Sequence, residues 1–215
     1  MMKLILSPTL FCAICSTAGA LQCLTCKDVT CLTTNPVMCT IEKACVTASI
    51  LVTSSGIKVP QIIRGCAPDF ACPVLGSQTY SANLGILSAA ASVECCNKDN
   101  CNLNILPVPA DQSENNLKCF SCDPGSTQCN STVKCSGVEN RCFQAFVPSG
   151  ISTSVPVKGC MSANICTAVS NLSSLPVLNL GNVSCCDNNL CNTALTTTTT
   201  TTFIYLLFGL IYIIY

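Results

Sequence analysis

Histidine and tryptophan are absent from the 215 residues, aromatic residues make up 5% and charged residues 9% of the chain. Without histidine, neither Ser-His-Asp nor Cys-His activation of a nucleophile can be assembled, and the commonest metal ligand is missing. The ten acidic residues are scattered, so no paired-carboxylate site is indicated. A basic excess is missing too: ten Lys and Arg face ten Asp and Glu, which speaks against nucleic acid or an anionic membrane surface as partner. Long apolar runs are also lacking. The uncharged end Phe203 to Tyr215 would reach only about 20 Å as a helix, short of a bilayer core of ~30 Å. These absences predict a protein with no catalytic residues, no cofactor and no metal.

What is present begins at the two ends. Lys3, the mostly apolar run Leu4 to Cys15 and the small residues Ala18-Gly19-Ala20 have the layout of a secretory signal over 1–20, with Leu21 as the first mature residue. A buried N-terminal helix would have to tolerate Pro8 in its middle. At the other end, Asn192-Thr193-Ala194 is followed by a Thr-rich spacer and the apolar run. A small triplet, a polar spacer and an apolar tail are the layout of a glycosylphosphatidylinositol (GPI) attachment signal. Asn192 is the first choice of attachment residue, with Thr193 or Ala194 close behind, and 193–215 is the removed signal. A mucin-like Thr stalk with a short membrane end is the alternative. Removing both ends leaves nine basic against ten acidic residues, a net charge of −1.

Cysteine dominates the rest. Of 22 cysteines, Cys12 and Cys15 leave with the signal. The remaining twenty fall into two sets of ten: Cys23, Cys26, Cys31, Cys39, Cys45, Cys66, Cys72, Cys95, Cys96 and Cys101, then Cys119, Cys122, Cys129, Cys135, Cys142, Cys160, Cys166, Cys185, Cys186 and Cys191. Both sets open with C-x-x-C and close with C-C-x-x-x-x-C-N, which marks an internal duplication. Other residues repeat in step. Arg64-Gly65-Cys66 answers Lys158-Gly159-Cys160, Val59-Pro60 answers Val155-Pro156, and Asn83-Leu84-Gly85 answers Asn179-Leu180-Gly181. In an oxidising secretory route this density reads as disulfides, so C-x-x-C here is not taken as a zinc or redox motif. A cysteine-free stretch with Pro107 and Pro109 separates the halves. The expected division is a first domain over 21–102, a linker over 103–116 and a second domain over 117–192.

Each half is small enough for crosslinks to decide its stability, at ~2–4 kcal/mol for a typical disulfide. Between the cysteines the pattern predicts strands. Ala44 to Val52 and Ile57 to Cys66 flank the turn Ser54-Ser55-Gly56, and Arg141 to Val147 and Ser152 to Cys160 flank Pro148-Ser149-Gly150. A further hairpin is expected between Cys72 and Cys95 and between Cys166 and Cys185. No window predicts an amphipathic helix.

The ten-cysteine order with its terminal C-C-x-x-x-x-C-N, present twice, resembles the lymphocyte-antigen-6/urokinase-receptor family of three-finger domains. That resemblance implies an all-β fold of two disulfide-rich three-finger domains in tandem. It also implies the pairing: Cys23–Cys45, Cys26–Cys31, Cys39–Cys66, Cys72–Cys95 and Cys96–Cys101, then Cys119–Cys142, Cys122–Cys129, Cys135–Cys160, Cys166–Cys185 and Cys186–Cys191. By the same resemblance the closing Asn102 and Asn192 are expected to hydrogen-bond backbone in the knot, which adds weight to Thr193 or Ala194 beside Asn192 for lipid attachment. With the attachment signal read from the tail, the chain is expected to be a GPI-anchored protein on the extracellular face of the cell membrane, or one shed from it. It would bind extracellular or cell-surface proteins through its finger loops. The alternative within the family is an inhibitor or modulator of a secreted enzyme such as a phospholipase.

Sequons stand at Asn130, Asn171 and Asn182, all in the second half, whereas Asn35 is disqualified by Pro36. Asn171, in an expected finger loop, is the best of the three. The bare first domain is then the expected partner surface, held outward by the linker. Its second finger carries Lys58 as its only charge before Arg64, and its third finger carries none. Ile50, Leu51 and Ile57 near the second tip are the expected partner-binding residues. The plainer reading is that alternate residues of these strands pack on one another.

Overall fold

The computed structural model describes residues 20–26, 30–122, 129–148, 154–173 and 183–193. In the first half, β1 (Gln22–Cys26) and β2 (Thr34–Met38) make one finger. Strands β3 (Ala44–Ser54) and β4 (Ile57–Ala67) make the second, and β5 (Gly76–Asn83) and β6 (Leu87–Cys96) the third. The second half follows with β7 (Glu114–Ser121), β8 (Ser131–Ser136), β9 (Arg141–Pro148) and β10 (Ser154–Met161), then α1 (Ala163–Ser173) and β11 (Ser184–Cys186).

The longest hairpin runs without a break from Ala44↔Ala67 to Ser54↔Ile57. Its turn has positive φ at both central residues, 49° at Ser55 and 83° at Gly56. This is the two-residue turn whose twist matches that of the flanking strands, and glycine supplies the second position without steric cost.

The cores at the two hubs are largely sulfur. Each of the ten cysteine pairs named above is joined by an S–S bond. Neighbouring bonds touch, with Cys23 Sγ 3.2 Å from Cys39 Sγ and Cys119 Sγ 3.3 Å from Cys135 Sγ. The closing asparagines tie these knots. Buried Asn102 accepts from Leu24 N and donates to the carbonyls of Leu24 and Val46, at 2.9, 2.8 and 3.0 Å. Asn192 repeats this with Phe120 N, Phe120 O and Phe143 O at 2.9, 3.0 and 2.8 Å.

Two expectations are corrected here. The first arm of the hairpin expected between Cys166 and Cys185 is not a strand but lies in α1, and 174–182 fall outside the described residues. Ile165 N and Cys166 N donate to the Ser162 carbonyl at 3.1 and 3.3 Å, opening the helix. Ile165, Cys166 and Val169 fall on one face at helical spacing and pack into a core with Phe143, Ala145 and Met161. Nor is 103–116 only a linker: Leu106 and Asp111 bond to β3 and β4 of the first domain, Ser113 O accepts from Gly137 N of the second, and β7 already begins at Glu114.

A larger correction concerns how the halves meet. Seven strands form one sheet in the order β11-β9-β10-β5-β6-β3-β4, which crosses from second domain to first at β10–β5. The crossing pairs are Cys160↔Asn83 and Met161↔Ala82. Ser162 N adds a bond to Ser81 O at 2.8 Å, and Asn164 Nδ2 one to Thr79 O at 2.8 Å. Ala82 and Leu84 enter the apolar core of the second domain. The third finger of the first domain is therefore docked, not held outward.

Candidate partner-binding face

Residues opposite each other across an antiparallel pair share a face, so the register sorts the first-domain sheet into two sides. One side carries Val46, Ala48, Ile50 and Val52 on β3, Ile57, Val59, Gln61 and Ile63 on β4, and Leu87, Ala89, Ala91 and Val93 on β6. Tyr80 and Ala82 of β5 complete it. No residue among these is charged.

The opposite side carries Thr47, Ser49, Leu51, Lys58, Arg64 and Glu94. The linker crosses it. Thr47 Oγ1 donates to Asn102 O at 3.2 Å and Ser49 Oγ to Leu106 O at 2.6 Å. Lys58 pairs with Asp111 at 2.5 Å. Thr47, Ser49 and Arg64 are buried beneath this crossing, and burial depresses the Arg64 pKa.

The three residues expected at the partner surface do not share a face. Ile50 lies half-buried in the apolar cluster with Ala48, Val93 and Tyr80. Leu51, its neighbour in the strand, points to the linker side and is also half-buried. Ile57 is 70% exposed at the tip. Two residues not singled out from sequence join it: Val59, 47% exposed on the same face, and Ile86, 52% exposed, whose carbonyl accepts from Ser55 N at 2.9 Å. Period-two alternation from Ile57 could have found Val59, and the same rule separates Ile50 from Leu51. The pairing of the two tips that brings in Ile86 had no sequence signal.

Other candidate residues are placed as follows. Asn130 is exposed beside β8, Asn171 lies on α1 instead of a loop, and Asn182 falls outside the described residues. Thr193 is exposed and its carbonyl accepts from Lys158 Nζ at 2.9 Å, while Ala194 is outside the described residues. Among the described residues, potential metal ligands gather in threes at Cys23 with Cys39 and Cys66, and at Cys119 with Cys135 and Cys160. Every sulfur in both is held in a disulfide, so none is free to ligate a metal.

Disulfide knots, hairpin fingers and an uncharged sheet face define the class of three-fingered binding domains of the extracellular space. Residues 19–104 match the u-PAR/Ly-6 domain, and residues 117–192 match the family described as snake toxin and toxin-like protein. The chain belongs to this three-finger family as a two-domain member. It is 30% identical over 138 residues to the urokinase plasminogen activator surface receptor of Aotus trivirgatus, covering 60% of this chain and 38% of the receptor. It is 40% identical over 92 residues to lymphocyte antigen 6E of Gallus gallus, covering 40% of this chain and 64% of that protein. The chain thus spans under two thirds of either relative. It is an extracellular three-finger protein and not an enzyme.

Proposed function

We propose that the chain is a GPI-anchored cell-surface protein that binds an extracellular protein partner through the uncharged face of its first domain. The observation that carries this is the face itself: one side of β3 to β6 has no charged side chain, and while Ala48, Ala82 and Val93 within it are buried, it ends in the exposed pair Ile57 and Val59. An apolar patch rimmed by polar residues is the usual signature of a protein contact. The opposite side is polar and occupied by the linker, so it offers the partner far less.

The anchor rests on the tail of the sequence, and a relative named as a surface receptor supports it. Because the Asn192 side chain is engaged in the knot, Thr193 or Ala194 is the favoured attachment residue. Of the sequons, exposed Asn130 replaces Asn171 as first choice, since glycan acceptors favour surface loops over helices. Proximity labelling on intact cells expressing the chain, followed by Ile57→Ser in the same assay, tests the reading; labelling of the same partner by the variant at undiminished strength contradicts it.

A further inference from the structure

Glu139 is 2% exposed and lies in the turn between β8 and β9, where the second domain meets the third finger of the first. Its Oε1 accepts the Ser81 hydroxyl of β5 at 2.6 Å, and its Oε2 accepts Ser136 N at 2.8 Å. Asn115 Nδ2 holds its carbonyl at 3.1 Å. Ser81 is itself at the centre of the joint, its N–H donating to Ser162 Oγ at 3.2 Å and its carbonyl accepting from Ser162 N at 2.8 Å. A carboxylate is thus enclosed between two domains.

No cation faces it. On the elements packed around it, Lys134 of β8 pairs with Glu114, and Asp111 of the linker pairs with Lys58. Arg141 of β9 donates to Asn140 O, and Lys158 of β10 donates to Thr193 O. Lys118 of β7 makes no ion pair with it, Glu94 of β6 carries the same sign of charge, Tyr80 of β5 is hydrogen-bonded to Gln78, and α1 carries no ionisable group. The two ion pairs among the described residues both lie elsewhere.

We propose that the joint between the two domains is proton-linked through Glu139, closing more tightly as the surroundings become acidic. When the joint opens, Glu139 returns to water as an ordinary carboxylate. When it closes, an ionised Glu139 loses that hydration and gains across the joint the Ser81 bond alone, with no opposite charge. A protonated Glu139 loses less and still bonds Ser81, now as donor. Burial accordingly raises the Glu139 pKa in the closed form, against the opposing pull of its bonds to Ser81 and Ser136.

The sign follows. A carboxyl whose pKa is higher closed than open binds more protons when closed, so closure gains as pH falls through that raised value and loses as pH rises. A surface protein carried from neutral fluid into an acidic compartment would hold its third finger more firmly docked; at neutral pH that finger is freer to leave.

Hydrogen exchange on the full chain at pH 7.5, 6 and 5, corrected for the intrinsic pH dependence of exchange, tests this at the Ser162 amide, whose bond to Ser81 O breaks when the joint opens. The control is Cys39 N, bonded to Leu21 O within the first domain. Protection at Ser162 is expected to rise several-fold towards pH 5, by at most about tenfold per pH unit for one proton, with the control flat. Glu139→Gln should remove the slope. Ser81→Ala, which deletes a donor favouring the ionised form, should keep the rise and shift it to higher pH. A flat profile in the wild-type chain, a slope that survives Glu139→Gln, or no shift in Ser81→Ala would overturn the proposal.

Discussion

The carbonyl of Asn83 occupies the space where a side chain at residue 159 would begin: a Cβ built on Gly159 would overlap the Asn83 oxygen and stand 3.2 Å from Leu84 Cα. Asn83 belongs to the third finger of the first domain and Gly159 to the second finger of the second domain. Glycine inside a strand costs stability, and close approach of another backbone is one reason to keep it. The repeat supplies an internal control, because Gly65 holds the equivalent position in the first domain and has nothing within 4 Å of its missing Cβ.

Gly159→Ala should therefore destabilise the chain by about 1–3 kcal/mol, as overpacking does. Gly65→Ala should be neutral or stabilising by about 0.5–1 kcal/mol, because alanine lowers the entropy of the unfolded chain. Thermal or denaturant unfolding of the two variants reads this directly. Equal effects at the two glycines would mean that the domains do not meet through this contact.

Asn102 and Asn192 each satisfy one backbone N–H and two carbonyls inside a knot. Replacing either by Ala leaves buried polar groups unpaired, a loss of about 1–3 kcal/mol. Both variants should show a lowered unfolding midpoint and reduced secretion, with the twenty cysteines still oxidised.

Alkylation of the denatured, unreduced mature chain should label none of the cysteines from Cys23 to Cys191, since all are paired. One modified cysteine would show an open bond. Reduction before unfolding should lower stability sharply, because the hubs are built of sulfur.

Treatment of expressing cells with phosphatidylinositol-specific phospholipase C should release the protein into the medium. Retention on the membrane together with a recovered peptide from 203–215 would replace the lipid anchor by a membrane-embedded end.

Much of this fold was legible because covalent and turn chemistry is written locally. The two ten-cysteine ladders and the Ser55-Gly56 turn are local signals, whereas the cysteine pairing and the place of Asn102 and Asn192 in the knots came from the family resemblance. Helix α1 was only weakly legible: Ile165, Cys166 and Val169 stand at helical spacing between Asn164, Thr167 and Ser170, but Ala163–Ser173 has no charged residue to sharpen the polar stripe. Its place is set by tertiary contacts, through the Cys166–Cys185 bond and the core around Phe143. The docking of the third finger had no local signal. A charge-free finger reads the same whether it waits for a partner or is already covered by the other domain. The candidate face was half legible: Ile50 and Ile57 lie on it, whereas Leu51 was grouped with them by nearness along the chain, although strand alternation sends it to the other side.

The most direct test of the account is the affinity of the partner, once captured by proximity labelling, for purified chains carrying single substitutions. Ile57→Ser and Val59→Ser should each weaken binding about tenfold or more, which corresponds to ~1–2 kcal/mol lost at a buried contact. Leu51→Ser, on the linker side of the same strand pair, should leave affinity within about twofold once equal folding is verified. Undiminished binding by the Ile57 and Val59 variants, with a large loss from substitutions in the second domain such as Lys134→Ala, would contradict the assignment of the uncharged first-domain face as the partner site.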